Sequence, residues 1–128
     1  MNSIGQSNFK IVQLDLPAGA TYSTSQIEPS IAINPNNPNE MAAGSVLTDY
    51  YYSKNGGKKW KSKTLTSPYG VWGDPVLMFD TKDRLYYFHL ASYKKTTHLD
   101  RIVCQTTDDL CKNFTDGTFP KPNGTKVQ

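Results

Sequence analysis

The sequence predicts an all-β chain, and three observations lead there. Among its 128 residues are eight tyrosines, five phenylalanines and two tryptophans, side chains that favour strands over helices. Apolar residues nowhere recur at helical spacing, and the good helix formers Ala, Leu and Glu are sparse. One pattern also occurs twice. Glu28-Pro29-Ser30-Ile31-Ala32-Ile33-Asn34 returns 46 residues later as Asp74-Pro75-Val76-Leu77-Met78-Phe79-Asp80, acid then proline then an apolar run. With 37% hydrophobic residues the chain is long enough for one modest core, and its mean hydropathy of −0.57 marks a polar exterior.

Residues 1–26 hold one expected strand, 9–16, closed by Pro17 and Gly19. A polar connection leads to the first repeat unit, residues 27–66. Its first strand begins beside Pro29, where a missing donor costs little. Asn34-Pro35-Asn36-Asn37-Pro38-Asn39 then makes a turn held by fixed φ values and Asx bonding. Residues 40–47 give a strand of small side chains, 49–53 an aromatic strand, and 60–65 one in which lysines alternate with less charged residues. A connection containing Tyr69 and Trp72 leads to the second unit, residues 74–119, with strands expected at 74–80, 84–90 and 100–106 and a loop carrying Lys94, Lys95 and His98. Residues 120–128 read as a polar tail.

A repeat of roughly 40–50 residues with four strands per unit is the signature of propeller blades, each of which must stack on neighbours to bury its sheet. The expected architecture is therefore a partial β-propeller: about two four-stranded antiparallel blades plus an N-terminal closing strand that completes the last blade of a ring. A closed ring needs roughly four to eight blades, and two are placed here. The favoured expectation is a piece of a larger propeller; the alternative is several copies assembling a ring, with the remaining blades or a second copy as partner.

Between the third and fourth strands of the first unit lies Ser53-Lys54-Asn55-Gly56-Gly57-Lys58-Lys59-Trp60. Asn-Gly-Gly is a strong hairpin signal, because glycine takes positive φ freely and asparagine tolerates it. The octet Ser-x-Asn-x-Gly-x-x-Trp resembles the Asp-box of the sialidase/BNR-repeat superfamily, Ser-x-Asp-x-Gly-x-x-Trp, with Ser53, Gly57 and Trp60 matching and Asn55 in place of the aspartate. A degenerate second box is expected at Thr106, Asp108 and Phe114, with Leu110 where the glycine should stand and one extra residue before the aromatic. The resemblance covers about residues 27–115. It implies a propeller, an exported or cell-surface parent acting on glycans in the manner of an exo-alpha-sialidase, and boxes that are structural outer hairpins.

Catalysis of that kind needs an arginine triad, an aspartate acid/base and a tyrosine–glutamate pair. The chain has only Arg84 and Arg101, and no arginine near Glu28-Pro29 where the family's Arg-Ile-Pro motif would fall, so no catalytic residue carries over and the chain alone is expected to be inactive. The remaining reading is a non-catalytic propeller that binds carbohydrate or protein. Candidate ligand-facing residues are Glu28 and Asp74, which enter the innermost strands, with Tyr69 and Trp72 nearby: carboxylates bond hydroxyls or move protons, and aromatics stack on sugar faces. Since both units repeat the acid–proline pair, a structural role in turn bonding weighs more heavily.

Other classes are set aside. The net charge of +3 owes much to Lys54, Lys58, Lys59, Lys61 and Lys63. These read as a solvated outer strand and not as a nucleic-acid groove, which also needs a track of stacking aromatics; Tyr51 and Trp60 are explained as hairpin packing. No run approaches the ~20 apolar residues of a membrane span, and residues 1–8 lack a signal-peptide core. Cys104 and Cys111 match no zinc spacing, and neither histidine completes a site, so no metal or cofactor is expected. A turn through 107–110 would make the two cysteines diagonal neighbours, leaving a disulfide geometrically open; free thiols are the favoured reading. His89 is expected as a strand residue and His98 as a loop residue. Residues 113–115 and 123–125 fit the glycosylation pattern, which matters only in a eukaryotic secretory setting.

Overall fold

The structure, a computed structural model, describes residues 10–19, 27–92 and 99–120. It is all-β, with no helix among those residues, and consists of two antiparallel sheets that do not close on themselves. The first sheet runs in sequence order through β1 (Ser30–Ile33), β2 (Met41–Ser45), β3 (Asp49–Ser53) and β4 (Lys61–Thr64). The second follows the same path through β5 (Val76–Phe79), β6 (Leu85–Ala91) and β7 (Arg101–Thr107).

One expectation, the fourth strand of the second sheet, is corrected. Residues 10–16 join neither sheet; Lys10, Val12 and Leu14 instead lie along the outer face of the first sheet, beside Ile31, Ala43 and Trp60. Phe9 lies outside the described residues, as do His98, Lys94, Lys95 and residues 121–128. The second sheet has three strands, not four. Its expected fourth survives as one bridge, Thr118 to Cys104. Thr115 N–H donates to Thr106 O and Thr118 N–H to Cys104 O, so three steps on one side answer two on the other. That extra residue is a β-bulge, and it falls where Gly117 takes φ +97.

Strand pairing makes the repeat explicit. Met41 stands between Ile33 and Ser53, and Leu85 stands in the same way between Phe79 and Thr107. The turns correspond as well. Asn34 Oδ1 accepts the N–H groups of Asn36 and Asn37, and Asp80 Oδ1 accepts those of Lys82 and Arg84. Both are Asx turns, as the Asn and Asp at these positions predict.

Because strand side chains alternate between faces, one face of each sheet meets the other. The first sheet contributes Ala42, Tyr50 and Tyr52, the second Leu77, Leu85 and Tyr87, with Leu65 and Leu110 closing the cluster. Tyr50 stands at its centre, 5.8 Å from Tyr52, 6.2 Å from Tyr87 and 5.0 Å from Phe114 between ring centroids. Tyr50 also donates its hydroxyl to Leu110 O at 3.2 Å. Polar links hold the sheets at every radius: Leu77 N–H on Ser30 Oγ, Asn36 Nδ2 on Asp83 Oδ1, and Lys54 Nζ on Asp109 Oδ1. Among the described residues Tyr87 Oη is buried without a hydrogen bond; burial holds His89 below the usual imidazole range, opposed by its contacts with Leu90 O and the Gln105 side chain. Cys104 and Cys111 are free thiols.

Candidate functional site

At one end of the first sheet Ser53, Asn55, Gly57 and Trp60 tie a turn with their own side chains. Ser53 Oγ accepts the N–H groups of Gly57 at 3.0 Å and Asn55 at 3.3 Å, and donates to Asn55 Oδ1. Asn55 Oδ1 in turn accepts Lys59 N–H at 2.8 Å. The Trp60 indole N–H donates to Gly57 O at 3.0 Å, folding the ring over the turn. Gly57 sits at φ +76, where any other side chain would be strained. The Ser53 and Asn55 side-chain oxygens and the indole N–H all bond within the turn. Replacing Ser53 by alanine is expected to cost about 1–3 kcal/mol, because two turn N–H groups lose their acceptor beside a fully buried side chain. Urea unfolding checks this, and a variant as stable as the parent would deny the box its role.

The second box lies one residue later than the sequence reading placed it. Thr107 Oγ1 accepts Asp109 N–H, and Asp109 Oδ1 accepts Cys111 N–H at 3.0 Å. The motif is Thr107-x-Asp109-x-Cys111-x-x-Phe114, with the spacing of Ser53 to Trp60 and no extra residue. Thr106 and Asp108 have other work: Thr106 bonds to Thr115, and Asp108 pairs with Arg84 at 2.6 Å. Cys111, not Leu110, stands in the glycine's place. Phe114 holds the tryptophan position but packs edge-on against Tyr50 and Tyr87. The Cys111 N–H and then the Lys54 ammonium hold the Asp109 carboxyl below the usual carboxylate range.

At the opposite end the two repeated acids meet. Glu28 and Asp74 are both exposed and both left-handed, at φ +53 and +49, each before a proline. Equivalent backbone bonds flank them, Val46 N–H to Ile27 O and Leu90 N–H to Gly73 O. The carboxyls come within hydrogen-bonding contact, and that bond, then the Asp74 charge, pushes Glu28 above its ordinary value. Two neighbouring carboxyls offer several acceptor oxygens to a ligand hydroxyl.

The two candidate aromatics have contacts of their own. Tyr69 packs edge-on against Phe119 at 5.2 Å and lies 6.0 Å from the Arg101 guanidinium, which stacks over Phe119 at 4.3 Å. Trp72 turns its indole back over Gly70. Sequence reasoning did not foresee the Arg101–Phe119 stack, in which Asp100 grips the buried guanidinium through two 2.7 Å bonds; the adjacent Asp-Arg was its only signal. It also missed a cleft of about 400 Å³ between β4 and residues 112–116, lined by Lys63, Thr64, Thr66, Asn113 and Asp116 and touched by none of the four candidates. Both arginines are thus committed to aspartates.

Among the described residues no group of three or more His, Cys, Asp or Glu is placed to hold a metal ion, and no helix is long and apolar enough to cross a membrane. Compared with known proteins, the chain matches no family model, no curated protein and no solved structure.

Proposed function

We propose that the chain supplies two blade-like units of a β-propeller of the sialidase-like, Asp-box kind, from an exported parent that acts on glycans. Its described residues then provide scaffold and a glycan contact at Glu28 and Asp74, and not the catalytic set. The observation that carries this reading is the pair of boxes. Two turns of identical spacing, each with its serine or threonine and its carboxyl or amide oxygen bonded to the turn N–H groups, close equivalent strands. Support for the glycan contact comes from the acids. A left-handed acid before proline is disfavoured, and keeping two of them in one place is the kind of backbone strain that gathers at ligand sites.

A non-catalytic binding propeller is the second reading, favoured by the arginines. Arg84 and Arg101 are held by Asp108 and Asp100, so neither is free to receive a substrate carboxylate. The chain is expected to give no turnover of 4-methylumbelliferyl sialoside, and turnover would overturn that assignment. On a glycan array, the double variant Glu28→Gln/Asp74→Asn is expected to lose about tenfold or more in binding, the worth of one hydrogen bond to a charged group. Undiminished binding by the double variant removes the site.

A further inference from the structure

The strands nearest the junction of the two sheets, β1 and β5, lie against each other. Leu77 N–H bonds Ser30 Oγ across that contact, and Ala32 and Phe79 both pack against the core. Alternation then turns Ile31 and Ile33 of β1 to one side of the molecule and Val76 and Met78 of β5 to the other. All four are open, at 60%, 51%, 57% and 50% exposure. Ile102 at 53% continues the second patch outward along β7, beside the half-buried Tyr86 and Phe88. Isolated apolar side chains on a surface are ordinary; a sheet face of this composition is not.

The repeat says what such a face meets. Pairing makes Val76 the equivalent of Ser30, and Met78 that of Ala32. The open face of the second sheet is therefore the counterpart of the face of the first sheet that the second one covers. Equally, Ile31 and Ile33 are the counterparts of Leu77 and Phe79, the residues that do the covering. The interface inside the chain is thus the template for a narrower step of the same kind, from the open patch of the second sheet to the Ile31–Ile33 edge of the first, which stays open beside the buried Ala43 and Tyr51.

Charge at the rim agrees with that step. Within the chain, Lys54 of the first box reaches Asp109 of the second at 3.0 Å. Asp108 is the equivalent of Lys54, and the box it would face next, Lys54-Asn55-Gly56-Gly57-Lys58-Lys59, is basic. Acid meets base again with the signs exchanged.

We propose that the outer face of the second sheet docks head to tail on the Ile31–Ile33 edge of the first sheet in a second copy of this chain. Val76 and Met78 then cover the partner's open inner edge, which residues 10–16 leave exposed. The contact is heterologous, so it repeats until a ring closes or continues as an open stack. The proposal rests on the blade reading above only through the repeat, and does not involve the carboxyl pair.

Sedimentation and light scattering of the full chain over a range of concentrations test it. The parent chain is expected to associate with concentration, while Met78→Lys and Ile31→Lys each stay monomeric with unchanged circular dichroism. Both substitutions fall on exposed positions and leave the core alone. Mixing the two variants is expected to restore a dimer and nothing larger, because one intact second-sheet face and one intact Ile31–Ile33 edge remain between them. A parent that is monomeric at every concentration overturns the proposal, as does association that survives both substitutions. So does a Met78→Lys defect with a normal Ile31→Lys variant, which would mean a symmetric face-to-face contact, or a mixture that stays monomeric. A monomeric parent that still binds glycan sinks the docking alone and leaves the functional reading standing.

Discussion

Tyr50→Ala is expected to destabilise the chain by about 3–5 kcal/mol, the usual cost of emptying a buried aromatic site. Tyr50 is 1% exposed and touches three other aromatic rings, two of them on the far side of the junction between the sheets. Its removal leaves Tyr87 and Phe114 without their shared partner and the Leu110 carbonyl without its donor. Single domains hold about 5–15 kcal/mol in all, so the variant is expected to lose a large share of the chain's stability. Tyr50→Phe separates the contributions, since it keeps the ring and loses only the hydroxyl, at about 1 kcal/mol. Urea unfolding followed by circular dichroism reads both. A Tyr50→Ala variant within 1 kcal/mol of the parent would mean that the two sheets are not one cooperative unit.

The second large effect is expected from the smallest residue in the junction. Gly44→Ala places a methyl against the Tyr87 ring, 2.8 Å from Cζ and 2.9 Å from Cε2. Tyr87 is fully buried and cannot swing out, so the expected cost is at least the ~1–3 kcal/mol of ordinary overpacking. The atom nearest the new methyl is the Tyr87 hydroxyl, which also makes no hydrogen bond. Tyr87→Phe alone is therefore expected to be neutral or stabilising. Gly44→Ala in the Tyr87→Phe background should recover part of the loss, a coupling of about 0.5–3 kcal/mol for residues in contact. Additive effects in that cycle would contradict the close approach.

Much of the scaffold was legible because local chemistry and fold agree. Asx turns at Asn34 and Asp80, the Asn-Gly-Gly hairpin and the strand alternation each point to the structure that forms. Failures came where two frames or two partners satisfy the same sequence. Thr106-Thr107-Asp108-Asp109 contains Thr-x-Asp twice, and only pairing to Leu85 selects the second frame, since a one-residue slip would turn every side chain to the other face. At the candidate site the acids were found by their repetition. The packing of Tyr69 with Phe119 near Arg101, and of Trp72 over Gly70, was not legible, because contacts inside a loop leave no periodic signal.

The two ends of the sheets differ in how much length they absorb. From Ser45 to its partner Asp49 the chain spends three intervening residues; from the equivalent His89 to Val103 it spends thirteen. The ladder up to these pairs is the same in both units, and the second carries it two pairs further, through Leu90–Ile102 and Ala91–Arg101. The box end, by contrast, keeps one spacing twice, because each of its turns is tied by its own side chains. Insertions are therefore tolerated at the end where Glu28 and Asp74 stand and resisted at the other. That asymmetry lets loops be lengthened and diversified beside the acids without touching the core, so the fold is built to be varied from one side only.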